Sequence, residues 1–441
     1  MRERLVWLGI AVVGCGSTST ANPDASGSFG GSPDARSDSR DAPRDSRDAT
    51  SDGNGNDARL GDARAETGRS ADAHADAHRD AGSSDAALSD ASLDGPLYYA
   101  TCEAACASPC AGVCSGGNCL DVLATNIDSD SSGLQADSHA LYWPGPPLGD
   151  ASPFDYTLWR DPSDGTGTPS IVASFGANPD AGFLLLGPVA GGFGGAFFTT
   201  IGATPSGPGR LFGAWPDAGM QLLYAPDSGT IDGVAVNDGG LYASRTSGST
   251  SDFVSIPING AAPTLLYADM SVLAEQLAVN RKSFASILLN VVDRSFAGIV
   301  TGALDGSTPL VKIAQGVEVG GGMLALDATY VYWFGPGATT GYTEPSTIYR
   351  APISGGPKEV VVQDEYIAAF AVDDANIYWS AFHPTGPSGS GSPFIYSQAR
   401  TSTASLGGAR TLLACEPALG IAIDSTFVYL GSYDTVYRLP K

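Results

Sequence analysis

The sequence predicts an all-β fold, a β-propeller of seven four-stranded blades, and three observations lead there. The first is a recurring phrase between Leu134 and Leu430: a short apolar stretch, an Asp or Asn, a few turn residues, then an aromatic-rich strand. It reads Leu134-Gln-Ala-Asp-Ser-His-Ala-Leu-Tyr-Trp143, Leu324-Ala-Leu-Asp-Ala-Thr-Tyr-Val-Tyr-Trp333 and Phe370-Ala-Val-Asp-Asp-Ala-Asn-Ile-Tyr-Trp379. The second is spacing. Anchors near 134, 189, 234, 277, 323, 370 and 421 repeat at roughly 45 residues, the period of a ring of small sheets. The third is punctuation: from Asp121 onward short strands alternate with Gly, Pro, Ser, Asn and Asp, and no long segment carries a 3.6-residue apolar period. A chain of this length exceeds one ordinary core, but stacked repeats bury a continuous one.

Within a unit each strand has its own signal. In the clearest unit the first strand is Leu324–Asp327, the second Tyr330–Phe334, the third Ile348–Ile353 and the fourth Glu359–Gln363. The turn Ser354-Gly355-Gly356 separates the last two, where glycine supplies the positive φ of a tight hairpin. Asn259-Gly260, Asp305-Gly306 and Asp164-Gly165 are its counterparts. Four-stranded sheets in radial repetition are propeller blades. The anchors near 189 and 277 are degenerate, with Gly-rich or Lys-Ser-Phe text where Tyr-Trp would stand, so six or eight blades also fit the text.

Closure of the ring is legible too. After Ile421–Asp424 and Phe427–Leu430 the chain supplies Val436-Tyr-Arg-Leu-Pro440 and stops one strand short. Asp121-Val-Leu-Ala-Thr125 has the text of a fourth strand, like Thr411-Leu-Leu-Ala414 and Thr264-Leu-Leu-Tyr267. An N-terminal strand completing the last blade would remove an exposed sheet edge.

These residues carry a resemblance. Ala371-Val-Asp-Asp-Ala-Asn-Ile-Tyr-Trp379 followed by an Ile-Tyr strand, and Ile348-Tyr-Arg-Ala-Pro-Ile-Ser-Gly-Gly356, resemble the Tyr-Trp-containing propellers related to the lipoprotein-receptor (YWTD) and NHL types. The match covers about 121–441. The receptor pattern continues Thr-Asp after Trp, whereas Pro144, Phe334 and Ser380 follow here. The resemblance implies an exported bacterial protein, and it names no ligand.

Ahead of the propeller the chain has three zones. Residues 1–14 are a basic start followed by the apolar run Leu5–Val13, too short to span a bilayer and laid out as a secretory signal. Val12-Val13-Gly14-Cys15 resembles the lipobox of a bacterial lipoprotein, which implies acylation of Cys15; two or more acyl chains anchor stably at roughly 0.8 kcal/mol per buried CH₂. Gly16 is not the Asp that would imply inner-membrane retention, so the expected address is the outer membrane or cell surface, with the membrane held through the lipid. Residues 15–97 are Asp, Ala, Ser, Arg and Gly with almost no large apolar side chains, a composition that cannot offset its conformational entropy. This reads as a disordered tether with an r.m.s. reach of roughly 50 Å. His74 and His78 beside Asp72 and Asp76 have no preformed geometry there for a metal.

Residues 98–120 hold Cys102, Cys106, Cys110, Cys114 and Cys119, with one further thiol at Cys415. Six cysteines besides Cys15 in an exported chain point to disulfides. Five cannot pair among themselves, so one is expected to reach Cys415; ring closure brings Cys119 into the blade next to the one carrying Cys415, and a disulfide between these two is the expected pairing. No Cys-x-x-Cys occurs, which argues against thioredoxin-like redox chemistry and against zinc or iron–sulfur ligation.

The formal charge of −24 and four Lys lack the basic footprint of a nucleic-acid binder. The repeated Asp137, Asp327, Asp373 and Asp424, with Asn237 and Asn280 in like places, precede each first hairpin turn and suit capping of backbone N–H groups rather than a cation ring. Tyr142, Trp143, Tyr332, Trp333, Tyr378 and Trp379 suit packing between blades. Asp128, Asp130 and Ser132 with Gly133 match the opening of a calcium loop, but His139 stands where the bidentate Glu should be, so no cofactor is expected, with calcium at this loop as the alternative. No Gly-x-Ser-x-Gly elbow or phosphate loop occurs. A better pointer is loop length: Pro144–Asp155, Gly335–Ser346 and Ala381–Ser392 fall in blades one, five and six, on one arc of one face. They carry Phe154, Asp155, Tyr342, Glu344, Phe382 and His383, a mixture suited to an envelope protein or glycan. The sequence therefore reads as a monomeric envelope lipoprotein presenting a non-catalytic binding or scaffolding propeller. A carbohydrate-active lyase or hydrolase using propeller-face carboxylates, and a structural spacer, are the alternatives.

Overall fold

In a computed structural model of the chain the described residues run from Gly112 to Lys441, apart from 126–132, 146–155, 163–167, 176–184, 202–208, 271–272, 291–294, 317–322, 336–345, 365, 385–390, 403–409 and 433. All belong to one compact unit, Tyr98–Lys441. Two strands come first, β1 (Val113–Ser115) and β2 (Asn118–Thr125). Blade one is β3 (Gln135–Ala136), β4 (Ala140–Gly145), β5 (Tyr156–Pro162) and β6 (Ser170–Phe175). Blade two is β7 (Leu185–Gly192), β8 (Gly195–Ile201), β9 (Arg210–Trp215) and β10 (Gly219–Tyr224). Blade three is β11 (Thr230–Asn237), β12 (Gly240–Ser247), β13 (Thr250–Ile256) and β14 (Thr264–Met270). Blade four is β15 (Leu273–Val279), β16 (Ser283–Leu289), β17 (Phe296–Ala303) and β18 (Val311–Gln315). Blade five is β19 (Leu324–Leu326), β20 (Tyr330–Phe334), β21 (Ser346–Pro352) and β22 (Glu359–Asp364). Blade six is β23 (Ile367–Val372), β24 (Asn376–Pro384), β25 (Gly391–Ala399) and β26 (Thr411–Ala414). Blade seven is β27 (Gly420–Ile423), β28 (Phe427–Gly431) and β29 (Thr435–Pro440), completed by β2 and then β1.

The chain is a seven-bladed β-propeller. Every blade is antiparallel, blades one to six are paired in sequence order, and the two degenerate anchors near 189 and 277 do form first strands, β7 and β15. In all seven blades a bulge interrupts the pairing of third and fourth strands, at Leu158/Trp159, Leu222/Tyr224, Phe253/Val254, Ile299/Val300, Ile348/Tyr349, Ile395/Tyr396 and Val122/Ala124. A bulge raises local twist, which a short blade needs to turn its edge outward.

Closure occurs through β2. Asp121 pairs with Arg438, Val122 with Tyr437 and Thr125 with Thr435, antiparallel to β29. Asp121 thereby takes the place that Glu359 takes opposite Arg350 in blade five. The pairing extends past the expected strand: β2 starts at Asn118 and turns back into β1, so blade seven has five strands and the end of the cysteine segment is part of its sheet. This hairpin lies against the outer strand of blade six, where Asn118 Nδ2 donates to Leu413 O at 2.8 Å and the Cys415 amide donates to Ser115 Oγ at 2.8 Å.

Packing follows from the two-residue period of a strand, which sends adjacent side chains to opposite faces. In blade five Trp333 packs against blade four, beside Ile287 and Ile299, while Tyr332 packs against blade six, beside Trp379. Tyr378 in turn meets Val428 and Leu430 of blade seven, and Tyr429 of blade seven meets Trp143 of blade one. Each Tyr-Trp pair thus holds both neighbours. Trp143, Trp333 and Trp379 are fully buried, and at about 25 cal/mol per Å² a buried aromatic of 150–250 Å² contributes about 4–6 kcal/mol of transfer free energy.

One strand boundary corrects the sequence reading. Phe382 and His383 were expected in a long loop, but β24 runs on to Pro384 and pairs His383 with Ser392. The alternation of Phe-Ile-Tyr in β25 supplies an apolar partner for this extension, so the hairpin zips further than the Pro and Gly of 384–391 suggest.

Candidate binding cleft and the turn face

The six capping residues do what their positions predict. Oδ1 of Asp137 accepts the amides of His139 and Ala140, both at 2.7 Å, and Asp327, Asp373 and Asp424 do the same for their own turns at 2.6–2.8 Å. Asn237 and Asn280 use their side-chain oxygens identically. Their amide nitrogens add a link between blades: Asn237 Nδ2 donates to Asn280 O, and Asn280 Nδ2 donates to Asp327 O at 2.5 Å. The acids use Oδ2 instead. Asp327 Oδ2 accepts the Tyr332 hydroxyl at 2.6 Å and Arg400 Nη1 of blade six at 2.6 Å, and Asp373 Oδ2 accepts Lys441 Nζ at 2.6 Å. Burial, then the Asp327 carboxylate, pushes the Tyr332 hydroxyl well above its usual range, so it stays a donor. Burial opposes ionisation of Asp373, but Lys441 and two backbone amides outweigh it and hold the carboxyl below its ordinary value. These carboxylates are occupied as structural acceptors.

Blade one departs from this pattern. Asp137 and Arg160 flank the Tyr142 hydroxyl, which burial, then Asp137, pushes up to about 12. Yet Asp137 Oδ2, the Tyr142 hydroxyl and Arg160 Nε are all buried without a well-formed hydrogen bond. Buried polar atoms left unsatisfied in a native fold call for an explanation.

Arg160 also lines a cleft of about 550 Å³ between blades one and two, with Phe193, Gly194, Trp215, Pro216, Asp217 and Ala218. That volume lies within the 300–1,000 Å³ range of ligand sites. Blade two supplies most of it through the degenerate text: where other blades have a capped Asp or Asn turn, β7 passes to β8 through Phe193-Gly194, with φ of 53° and 71°. Positive φ at both central residues is a type I′ hairpin, normally Asn-Gly or Gly-Gly. Phe193 is the sole non-Gly described residue with positive φ, and the residue is 41% exposed. An aromatic side chain held there stores of order 1–3 kcal/mol of strain.

Trp215 is seated by glycines. A Cβ at Gly195 would stand 2.7 Å from Cδ1 and 2.8 Å from Nε1 of the indole, and one at Gly213 would stand 2.7 Å from Cζ3. Both ends of the ring therefore lie flat where no side chain projects, and buried Phe197 braces it edge-on at 5.5 Å. The ring remains partly exposed and faces the cleft. The cleft opens where the first and third hairpin turns of a blade lie, and antiparallel order puts those at the end opposite the second-to-third-strand connections.

Of the residues expected on the long-loop face, Phe154, Asp155, Tyr342 and Glu344 lie outside the described residues, as do Cys15, Cys102, Cys106, Cys110, Asp128, Asp130 and Ser132. Phe382 is partly buried against Tyr366, ring centroids 5.9 Å apart. His383 is 2% exposed, so it is an interior residue rather than a surface contact. Its Nε2 lies 3.4 Å from Asp364 Oδ1, and Asp364 Oδ2 accepts Trp379 Nε1 at 2.9 Å and Arg410 Nη1 at 2.7 Å. Arg410 stacks over Tyr396 at 4.1 Å. This cluster ties blade five to blade six. Among the described residues no group of three or more His, Cys, Asp and Glu is arranged to hold a metal ion.

No family model matches the chain, and no curated protein matches it. Among solved structures a chain of the "Crystal structure of Nidogen/Laminin Complex" is similar in fold at 13% identity and a TM-score of 0.36, over 51% of this chain and 82% of that one. That likeness carries no ligand or partner across.

Proposed function

We propose that this protein is a lipid-anchored envelope protein whose propeller is a non-catalytic binding module, with the cleft between blades one and two as its contact surface. The observation that carries the reading is the division of labour among polar side chains. The repeated carboxylates and the single buried His of the propeller core are spent on turns and blade contacts, while blade two breaks the repeat to display Phe193 and Trp215 beside Arg160. Loops and turns on a rigid ring are where recognition is placed. The reading needs no cofactor and no second copy of the chain.

Acylation of Cys15 and a reach of roughly 50 Å for residues 15–97 would hold the cleft clear of the outer membrane. We also propose that the six remaining cysteines pair as disulfides. Cys114 stands opposite Cys119 in register, and the Cys415 amide is bonded to Ser115, which favours a bridge from this hairpin to Cys415. Non-reducing peptide mapping checks it; Cys415 recovered as a free thiol would sink the pairing. Fatty-acid labelling in cells, lost in Cys15→Ser, checks the anchor. For the function itself, envelope polymers incubated with the full chain should be retained on it at unchanged chain length, and Trp215→Ala should release them. Shortening of the polymer would refute the non-catalytic reading.

A further inference from the structure

Resting on that reading, we infer that the cleft takes a neutral pyranose-containing glycan, one sugar ring lying on Trp215 with its hydroxyls between Arg160 and Asp217. The apolar C–H face of a pyranose needs a flat aromatic surface, and the indole laid over Gly195 and Gly213 is such a surface. The hydroxyl rim of a sugar both donates and accepts. Arg160 forms no ion pair among the described residues and supplies donors, and exposed Asp217 on the opposite wall supplies acceptors. Phe193, projecting at the cleft edge, adds a second apolar wall for a neighbouring sugar; its strained φ is explained if the ring is required there.

Charge decides against a polyanion. The chain carries −24 overall, and Asp217 on the wall offsets Arg160, so a uronate or phosphate polymer meets no net positive site. The unsatisfied Arg160 Nε and Tyr142 hydroxyl lie just behind the donor wall, where an ordered ligand would fix the guanidinium.

Tryptophan fluorescence reports the site directly. Trp143, Trp159, Trp333 and Trp379 are at most 7% exposed, leaving Trp215 as the accessible indole of the propeller. Acrylamide quenching of the chain carrying Trp7→Phe, which removes the one tryptophan outside the propeller, is measured with maltohexaose, xylohexaose, chitohexaose and cellohexaose, and with polygalacturonate as the anionic probe. At least one neutral hexasaccharide should protect Trp215 from quenching. Phe193→Gly, which suits the positive φ and keeps the hairpin, should weaken that protection at least threefold, and Gly195→Ala, which lifts the indole, at least tenfold. Protection by polygalacturonate alone, or by none of the probes, would overturn the glycan assignment. In that case protease-sensitive protection by envelope extract would leave the binding cleft standing with a protein ligand, and no protection by extract would bring down the cleft itself.

Discussion

Asp327 caps its own turn and links blade five to blade six through one carboxylate, and its substitution should separate these two roles. Its side chain is 4% exposed and accepts four hydrogen bonds: the Thr329 and Tyr330 amides on Oδ1, the Tyr332 hydroxyl and Arg400 Nη1 on Oδ2. Asp327→Ala strands two amides, a buried hydroxyl and a cation that is 22% exposed. Removing one partner of a buried pair costs about 3–5 kcal/mol. Asp327→Asn keeps the acceptor for both amides, as Asn237 and Asn280 do in blades three and four, and loses only the charge facing Tyr332 and Arg400. One or two charge-assisted bonds reduced to neutral ones cost about 1.5–3 kcal/mol. Urea titration followed by circular dichroism should rank wild type above Asn above Ala, with about 2 kcal/mol between the variants. Asn and Ala equal within 0.5 kcal/mol, a threshold set at the usual error of such differences, would show that turn capping contributes nothing and that the account of the repeated acid is wrong.

Further predictions concern pH, closure and the hairpin tip. Tyr142, Tyr332 and Tyr429 are all raised above the ordinary value of 10, so the unfolded chain releases these protons first; their stabilisation is complete below pH 10 and is lost as pH climbs from there, which alkaline unfolding curves will show as a steep decline. Asp373 is held below its ordinary 3.8, so it stabilises above that pH and the contribution fades as pH drops beneath it; removing Lys441 should flatten this acid limb. Leu120→Ala, at a fully buried position of the closing strand, should cost about 2–5 kcal/mol, whereas Asp121→Asn, on a half-exposed ion pair, should cost under about 1 kcal/mol in the same titration. Phe193→Asn should raise stability by about 1 kcal/mol by relieving the positive φ, measured by thermal unfolding.

The blades were legible because their signals are local. Asp137, Asp327, Asp373 and Asp424 each cap a turn two and three residues on, and the Tyr-Trp alternation fixes its own two faces, so a ten-residue window holds the reason for both. Closure could be read because Asp121–Thr125 repeats the text of other fourth strands. Long-range pairings could not: Arg400 meets Asp327 from 73 residues away, and nothing near either marks it. His383 was misplaced for a related reason. Its loop-like neighbours hid a hairpin extension that only the partner strand explains. The cleft left one trace, the Phe-Gly pair where a capped Asp or Asn was due, but degeneracy of a repeat looks the same whether it is drift or a site. Gly195 and Gly213 acquire meaning only when the fold lays Trp215 over them.

The most direct measurement is hydroxyl-radical footprinting of the full chain with and without envelope extract. Ligand should protect Phe193 and the segment Trp215–Ala218 on the turn face. Protection confined to 146–155, 336–345 and 385–390 would contradict the cleft and return the binding surface to the long loops.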